Sequence, residues 1–159
     1  MKEIILTQNK TALVDDDDFD LLIQFRWWAV NEHNHFYAST EINGKQIKMH
    51  RFLLNPSIGQ KVDHVDGNGL NNQRNNIRIC NTSQNAMNSK KCADGRSKYK
   101  GVWIVNKGKK KRIRAALRLN GVLISLGSFK DELTAAKAYD KAALKYFGEF
   151  ANLNFKRTA

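Results

Sequence analysis

The sequence predicts an α+β protein with a strand-rich N-terminal segment, a strand-strand-helix unit in the middle, and a C-terminal three-stranded antiparallel sheet packed on one helix. Three observations support this prediction. Short runs of alternating apolar and polar residues recur along the chain between Gly- and Asn-rich turns, a pattern typical of hairpins. One alanine-rich stretch near the C-terminus has helical spacing. Charge is distributed unevenly, which helps to divide the chain into predicted segments 1–49, 50–96 and 97–159.

The first segment is predicted to consist mostly of strands. Residues 2–7 and 11–14 are typical of a hairpin, and residues 27–28, 36–40 and 46–54 of further strands. The aspartates at 15–18 are predicted to begin a short helix with Phe19, Leu22 and Ile23 as its buried stripe, because negative charge is favoured at a helix N-terminus. Four aspartates could also bind a cation, but capping and solvation are the favoured interpretation.

The middle segment contains an Asp-His pair followed by two spaced asparagines. Residues 60–64 and 77–80 are predicted strands joined by the loop GNGLNNQRNN, and Thr82 is a predicted N-cap for a helix over 83–90. His64 could deprotonate water, since a neutral imidazole accepts a proton near pH 7. Asp63 and Asn85 offer oxygen ligands that suit Mg²⁺ or Mn²⁺ rather than zinc. Asn76 could hold the other nitrogen of the imidazole.

The spacing of these residues resembles that of the HNH (His-Asn-His) endonucleases, in the homing-type branch whose last motif residue is Asn. Asn76 lies twelve positions after His64 and Asn85 nine positions further on, and the pair His50-Arg51 precedes the motif as in that branch, so the resemblance covers about residues 48–88. It implies a ββα-metal core with His64 and Asn76 as catalytic residues, one Mg²⁺ or Mn²⁺ held by Asp63 and Asn85, and products with 5′-phosphate and 3′-hydroxyl ends.

Two plainer interpretations stand beside this one. A histidine beside an aspartate is usually a surface pair, and an Asn-rich loop is usually only a loop. The consecutive residues His33, Asn34 and His35 spell the family's letters, but the family's three residues are not contiguous. We expect this tripeptide to be the exposed tip of a hairpin.

The C-terminal segment is predicted to form strands over 99–105, 111–119 and 122–126, with Asn120-Gly121 as the last hairpin turn. A helix follows, with Asp131 and Glu132 in its first turn, Gly148 at its end, and one face formed by Ala135, Tyr139, Ala142 and Tyr146. On the middle strand, the apolar residues Ile113, Ala115 and Leu117 alternate with Arg112, Arg114 and Arg118. Alternation therefore predicts a core face under the helix and a cationic face outside.

This region resembles the plant ethylene-responsive-factor (APETALA-two) DNA-binding domain through YKGV, LGSF, AAKAYDKAALKYFG and LNF. The resemblance implies that the sheet lies in the major groove, with Lys100 and Arg118 at contacting positions. Trp103 and Ser125 depart from the family pattern, and Trp103 is as compatible with a core position as with a DNA contact. The residues predicted to contact DNA are His50, Arg51, Arg74, Arg78, Arg96, Lys100, Trp103, Arg112, Arg114 and Arg118.

Composition agrees with a nucleic-acid partner. The chain has 27 Lys+Arg against 15 Asp+Glu, a formal net charge of +12 and a pI of about 9.9. Residues 1–60 carry 6 basic and 8 acidic side chains, residues 61–96 carry 6 and 3, and residues 97–159 carry 15 and 4. We therefore expect affinity for double-stranded DNA to reside mainly in the C-terminal segment.

Other features narrow the class of protein. The two cysteines, Cys80 and Cys92, exclude a four-thiolate zinc ribbon, and no disulfide is expected. The N-terminus lacks the apolar run of a signal peptide, and no stretch reaches membrane-spanning length, so we expect a soluble, cytoplasmic protein with no membrane partner, and a monomer. The main prediction is a metal-dependent DNA endonuclease of the homing or mobile-element kind. The alternatives are a DNA-binding regulator without turnover and a nucleic-acid packaging protein.

Overall fold

The structure is a computed structural model that describes residues 1–89, 97–107 and 110–155. It divides into two compact units, Met1–Asn85 and Ala86–Ala159. The strands of the first unit are β1 (Lys2–Ile5), β2 (Thr11–Val14), β3 (Trp28–Glu32), β4 (His35–Ile42), β5 (Lys45–Lys48), β6 (Lys61–His64) and β7 (Ile77–Cys80). The helices are α1 (Asp16–Leu22), α2 (Met49–Leu54) and α3 (Thr82–Asn88), the last of which crosses the division between the units. The fold is mixed α+β, as predicted.

Three small antiparallel sheets make up the first unit: the pair β1-β2, the three-stranded sheet β3-β4-β5 and the pair β6-β7. The turn between β3 and β4 is formed by His33 and Asn34 with φ of 50° and 65°, and both are exposed, as is His35. The expectation of an exposed hairpin tip there is confirmed. Asn43 and Gly44, with φ of 52° and 71°, form the next tight turn.

The predicted strand over 46–54 is wrong in its second half. The chain leaves β5 at Lys48 and forms α2, whose residues Met49, His50 and Leu53 are buried. Their spacing of one, three and four residues is helical, so a single turn buries all three on the same side. Asn55, in the left-handed region with φ of 41°, ends the helix by donating its N–H to the carbonyl of Arg51.

One hydrophobic core joins the N-terminal strands to the β6-β7 hairpin. Its buried members are Ile4, Leu6, Ala12, Val14, Leu22, Trp27, Ala29, Ala38, Met49, Leu53 and Ile77. The backbone also connects these parts, since Leu13 donates its N–H to the carbonyl of Leu70 at 2.9 Å and accepts from the N–H of Asn72 at 2.8 Å. The loop after β6 is therefore held by β2, and residues 1–49 belong to the same body as the hairpin.

The aspartates before α1 are tied to that loop as well. Asp15 is the N-cap residue, but its carboxylate does not cap the helix; it accepts from the backbone N–H of Arg74 at 2.7 Å. Asp18, which is buried, pairs with the Arg74 guanidinium through both carboxylate oxygens, at 2.8 and 2.7 Å. Helix initiation at these aspartates is confirmed, and two of the four carboxylates also fasten α1 to the loop.

The second unit contains β8 (Val102–Lys107), β9 (Lys110–Leu119) and β10 (Val122–Phe129), with β9 in the centre, followed by α4 (Glu132–Phe147) and one 3-10 turn over Gly148–Phe150. The predicted three-stranded sheet and helix are present, and Asn120 and Gly121 form the β9-β10 turn with φ of 50° and 83°. The predicted alternation on β9 is confirmed, since Ile113, Ala115 and Leu117 are buried while Arg112, Arg114 and Arg118 are exposed.

Helix α4 begins at Asp131, whose carboxylate accepts from the N–H of Thr134 at 2.7 Å, and ends at Gly148. Its buried face differs from the predicted one. Ala142 is only partly buried and Tyr146 is exposed, whereas the residues that pack inward are Ala135, Ala136, Tyr139, Asp140, Ala143 and Phe147. In the second half of the helix, each predicted residue lies one position before the residue that actually packs inward: Ala143 takes the place of Ala142, and Phe147 that of Tyr146. None of the helices within residues 1–89, 97–107 and 110–155 has the length and apolar character needed to cross a bilayer.

Candidate active site

The β6-β7 hairpin places Asp63 and His64 at the end of a short ribbon. Asp63 is paired across the strands with Arg78, and His64 with Ile77. Both side chains are nearly inaccessible, with 7% of Asp63 and 6% of His64 exposed. Turn hydrogen bonds close the loop just beyond them: Val65 donates to the carbonyl of Asn76 and Gly67 to that of His64. The plainer alternative of a surface Asp-His pair is therefore wrong, because both residues are held inside the fold.

Two aromatic rings surround the imidazole of His64. The ring of His50 lies edge-on at 4.8 Å between centroids, and that of Tyr37 at 6.0 Å. Burial lowers the pKa of His64 below its usual value, although the Asn72 side chain and the carboxylates of Asp66 and Asp63 partly offset that effect. His64 is thus neutral near pH 7, the form in which a histidine can accept a proton.

His50 was predicted to contact DNA, but the structure places it beside His64. It is only 6% exposed, and among the described residues its Nδ1 has no hydrogen-bond partner. Burial lowers the pKa of His50 to about 3, and the positive charges that His64, Lys48 and Arg51 can carry act in the same direction. His50 is therefore neutral near pH 7 and packs against His64 inside the fold, so in this structure its side chain is not presented to solvent.

Tyr37 completes the surroundings of His64, and the sequence alone gave no signal for it. Its ring also contacts that of His50 at 5.7 Å, and the ammonium group of Lys48 lies over it at 4.5 Å from the centroid. Burial and then the charges of Glu32 and Asp63 raise the pKa of Tyr37. Lys48 in turn forms a salt bridge with Glu32. A cation therefore stands next to the two histidines.

The loop after His64 packs against Tyr37 so closely that only glycine fits at position 69. A Cβ atom there would lie 2.5 Å from the carbonyl oxygen of Phe36 and 2.5 Å from Cδ1 of Tyr37. We expect Gly69→Ala to lower the free energy of unfolding by about 1–3 kcal/mol, the usual cost of overpacking, measured by urea denaturation. Wild-type stability in this variant would contradict the close packing of loop and ring.

Asn76 does not make the contact that was expected with the imidazole of His64. Its amide oxygen accepts from the N–H of Asp66 at 3.1 Å, and its amide nitrogen donates to Asp66 Oδ1 at 3.0 Å and to the carbonyl of Asn71 at 2.8 Å. Asp66 also accepts from Asn68 and Asn71. Asn76 therefore fixes the loop next to His64. The asparagine whose side chain interacts with the imidazole is Asn72, and this interaction favours a higher pKa of His64.

Asp63 and Arg78 form a nearly buried ion pair. Nε and Nη2 of Arg78 donate to Asp63 Oδ2 at 3.1 and 2.8 Å, and the two side chains are 15% and 8% exposed. Arg78 was predicted to contact DNA, but here it binds the carboxylate that was predicted to hold a metal ion. Removing either partner would leave a buried charge without compensation.

A comparison with known proteins places this geometry in a family. Over 149 residues, the chain is 30% identical to a protein of Acanthamoeba polyphaga mimivirus named as an uncharacterized HNH endonuclease, and the match covers 90% of this chain and 74% of that protein. The chain belongs to the HNH endonuclease family. No protein-family profile matches it, and no solved structure does. The nuclease resemblance is confirmed at the level of the family, while the resemblance to ethylene-responsive factors stays a prediction.

HNH endonucleases act on DNA and generally use divalent metals. Among the described residues, no three His, Cys, Asp or Glu side chains form a group that could hold a metal ion. A site built on Asp63 and Asn85 would offer one carboxylate and one amide oxygen, ligand types that fit Mg²⁺ or Mn²⁺ and leave positions for water and phosphate oxygens. Asn85 lies half-buried on α3, where its N–H bonds to the carbonyl of Asn81.

Two further residues that were predicted to contact DNA have internal partners instead. The guanidinium of Arg74 binds Asp18 and the carbonyl of Leu53, the latter at 3.1 Å. The Lys100 ammonium donates to the carbonyls of Met87 and Ser89, at and just beyond the end of α3, and burial lowers its pKa to about 8. Arg74 and Lys100 therefore hydrogen-bond to other parts of the chain and stabilise the fold. Arg51 is exposed, with Nη1 3.3 Å from the carbonyl oxygen of Gln60, and Arg96 lies outside the described residues.

The remaining predicted contacts share one surface. Trp103 lies opposite Arg114 in the β8-β9 ladder, and Val105 lies opposite Arg112. Directly opposed residues point to the same side of a sheet, so the half-buried Trp103 stands on the outer side with the arginines, and a core position under α4 is excluded. We call Trp103, Arg112, Arg114 and Arg118 the arginine face.

Proposed function

We propose that the protein is a metal-dependent endonuclease of the homing or mobile-element kind that hydrolyses phosphodiester bonds in double-stranded DNA. The observation that carries the proposal is a neutral, buried His64 next to Asp63 in a chain of the HNH family. Removal of a proton from water beside the phosphorus is the step that such a histidine can perform. The proposed products carry 5′-phosphate and 3′-hydroxyl ends, and the proposed active form is a monomer.

His64 takes the proton of the attacking water in the proposed reaction. The rings of His50 and Tyr37 limit rotation of the imidazole and exclude bulk water from its buried side. Asn76 and Asp66 hold the following loop in place, so that the position of His64 does not depend on a mobile turn. Preorganisation of this kind reduces the reorganisation needed at the moment of reaction.

Asp63 and Asn85 are the residues that would hold a single Mg²⁺ or Mn²⁺ ion. When bound, the ion would supply positive charge to the scissile phosphate and to the leaving oxygen. The Asp63 carboxylate would then be shared with Arg78, whose guanidinium already occupies Oδ2. Arg78 holds the carboxylate in a fixed orientation, which is one requirement of a metal ligand.

The arginine face is proposed to position the enzyme on DNA. Its cations are exposed, and Arg114 and Arg118 stand on one strand with Trp103 on the neighbouring strand. Lysine and arginine contacts to phosphates fix register, whereas base contacts decide sequence preference. The pairing of β8 with β9 puts Trp103 and the arginines on the same side of the sheet. This supports docking of that side in the major groove, as the resemblance to ethylene-responsive factors implies.

Metal dependence is tested by plasmid cleavage. We expect a supercoiled plasmid to be cut in the presence of Mg²⁺ or Mn²⁺ and to stay intact in EDTA, because the proposed ligands are oxygens without a thiolate. A gel-shift measurement in EDTA is the control and should show DNA binding unchanged. Cutting that continues in EDTA would contradict the mechanism. Binding without cutting under all metal conditions would favour a DNA-binding regulator instead.

A further inference from the structure

The outer side of α4 carries three lysines four residues apart. Lys137, Lys141 and Lys145 are all exposed, and we call them the lysine stripe. Side chains at this spacing lie above one another on one side of a helix, about 6 Å apart along its axis. The stripe is therefore a continuous row of positive charge.

The lysine stripe forms none of the salt bridges described within the protein. Like charges at a spacing of four residues repel each other, and a solvated helix face usually alternates acids with lysines. Asp131, at the start of α4, accepts from Thr134 and also interacts electrostatically with Lys137 at one end of the stripe. Asp140 is buried and accepts from Asn154 and Phe155. The described salt bridges leave the positive charge of Lys141 and Lys145 without an acidic partner, and this excess of charge points to an anionic partner outside the chain.

The stripe and the arginine face lie on opposite sides of the C-terminal unit. Helix α4 packs Ala135, Tyr139 and Ala143 inward, against the side of the sheet that carries Ile113 and Leu117. The arginines leave β9 on the other side of the sheet. The unit thus has two cationic surfaces separated by the full thickness of a helix packed on a sheet, and a straight duplex in contact with one surface cannot reach the other.

We propose that the lysine stripe binds the phosphate backbone of a second DNA segment, so that the C-terminal unit holds two duplexes, one on each side. The inference rests on the proposed role of the arginine face. DNA is the polyanion on which this family acts. Ammonium groups act as point charges and can contact a phosphate backbone without reading sequence. A membrane surface is a poorer match, because an interfacial helix needs a broad apolar face beside its lysines, and Leu133 and Tyr146 are the exposed large apolar side chains among the described residues of α4.

The experiment measures capture of one duplex by another. A duplex is immobilised on beads, the full-length protein is added in EDTA to prevent cleavage, and retention of a labelled second duplex is measured. The wild-type protein should retain it. The variant K137Q/K141Q/K145Q should retain at least tenfold less, while its affinity for a single duplex in a gel shift changes little. The salt dependence of capture should also weaken, by about 0.9 in the slope of log K for each lost phosphate contact.

Two matched variants separate the possible causes. K2Q/K45Q/K61Q removes the same charge from exposed lysines of the first unit and should capture like the wild type. R112Q/R114Q/R118Q should lose both single-duplex binding and capture, and if it binds a single duplex normally, the proposed role of the arginine face fails. The second-duplex proposal is overturned if the wild type captures nothing or if the stripe variant captures normally. It is also overturned if the stripe variant loses single-duplex binding, since the stripe would then belong to the first DNA surface.

Discussion

Replacing His64 by alanine is expected to lower the rate of plasmid cleavage by roughly a hundredfold or more, the usual contribution of a general base. The substitution removes the group proposed to take the proton from water and leaves the arginine face, which is in the other unit, unchanged. DNA affinity in a gel shift should therefore stay close to that of the wild type. His64 is 6% exposed, so a cavity is expected as well; His64→Gln, which fills more of the space, should be equally inactive but more stable.

The matched control for this prediction is His35→Ala. His35 is exposed next to the β3-β4 turn. It belongs to the tripeptide His33-Asn34-His35, which has the letters of the family name but not the spacing of the family motif. We expect wild-type cleavage from this variant. If His35→Ala abolished cutting while His64→Ala did not, the assignment of the active site to the β6-β7 hairpin would have to be withdrawn.

Replacing Gly101 by alanine is expected to lower the free energy of unfolding of the C-terminal unit, and by more than a glycine-to-alanine change at Gly121 does. A Cβ atom at Gly101 would lie 2.0 and 2.2 Å from Cδ2 and Cε2 of Tyr139 and 2.8 Å from the carbonyl oxygen of Ala116. Tyr139 is buried in the core under α4 and cannot move aside freely. Overpacking costs about 1–3 kcal/mol, and the left-handed backbone at φ of +70° adds about 1–2 kcal/mol for any residue with a Cβ.

Gly121→Ala separates the two contributions. Gly121 has a similar φ of +83°, but no atom lies within 4 Å of a Cβ built there. Its substitution should lower the free energy of unfolding by only about 1–2 kcal/mol, the cost of the backbone conformation alone, whereas Gly101→Ala should cost about 2–5 kcal/mol when both terms are included. Urea denaturation followed by circular dichroism compares the two variants. Equal losses would show that the ring of Tyr139 yields to the added methyl group.

The C-terminal unit was the easiest part to predict from the sequence because its signals are local. The alternation on β9, the Asn120-Gly121 turn and the end of α4 at Gly148 each depend on neighbouring residues. Strand ends were less accurate: β8 begins at Val102 rather than 99, and β10 continues to Phe129. The change from β5 to α2 was missed because six residues give too little periodicity to distinguish a buried strand from a buried helix.

The site could be predicted only in part, because several of its contacts join distant segments. The motif residues Asp63 and His64 were found by spacing. The partner of Arg74, by contrast, is 56 residues away at Asp18, and Tyr37 comes from a strand of another sheet. An arginine in a basic loop has the same appearance in a sequence whether it binds a phosphate or a buried carboxylate. Only the fold shows that Arg74, Arg78 and Lys100 are already engaged.

The bonds between Leu13 and the loop residues Leu70 and Asn72 have a consequence for protein engineering. In an exchange of the proposed cutting and targeting modules, the motif alone would place the boundary before His50. A chimera made there would discard β2, which supports the loop beside His64, and would expose the inner side of Ile77. Residues Met1–Asn85 form one compact unit and α3 runs across its end, so a boundary for recombination belongs beyond Asn88 and not before His50.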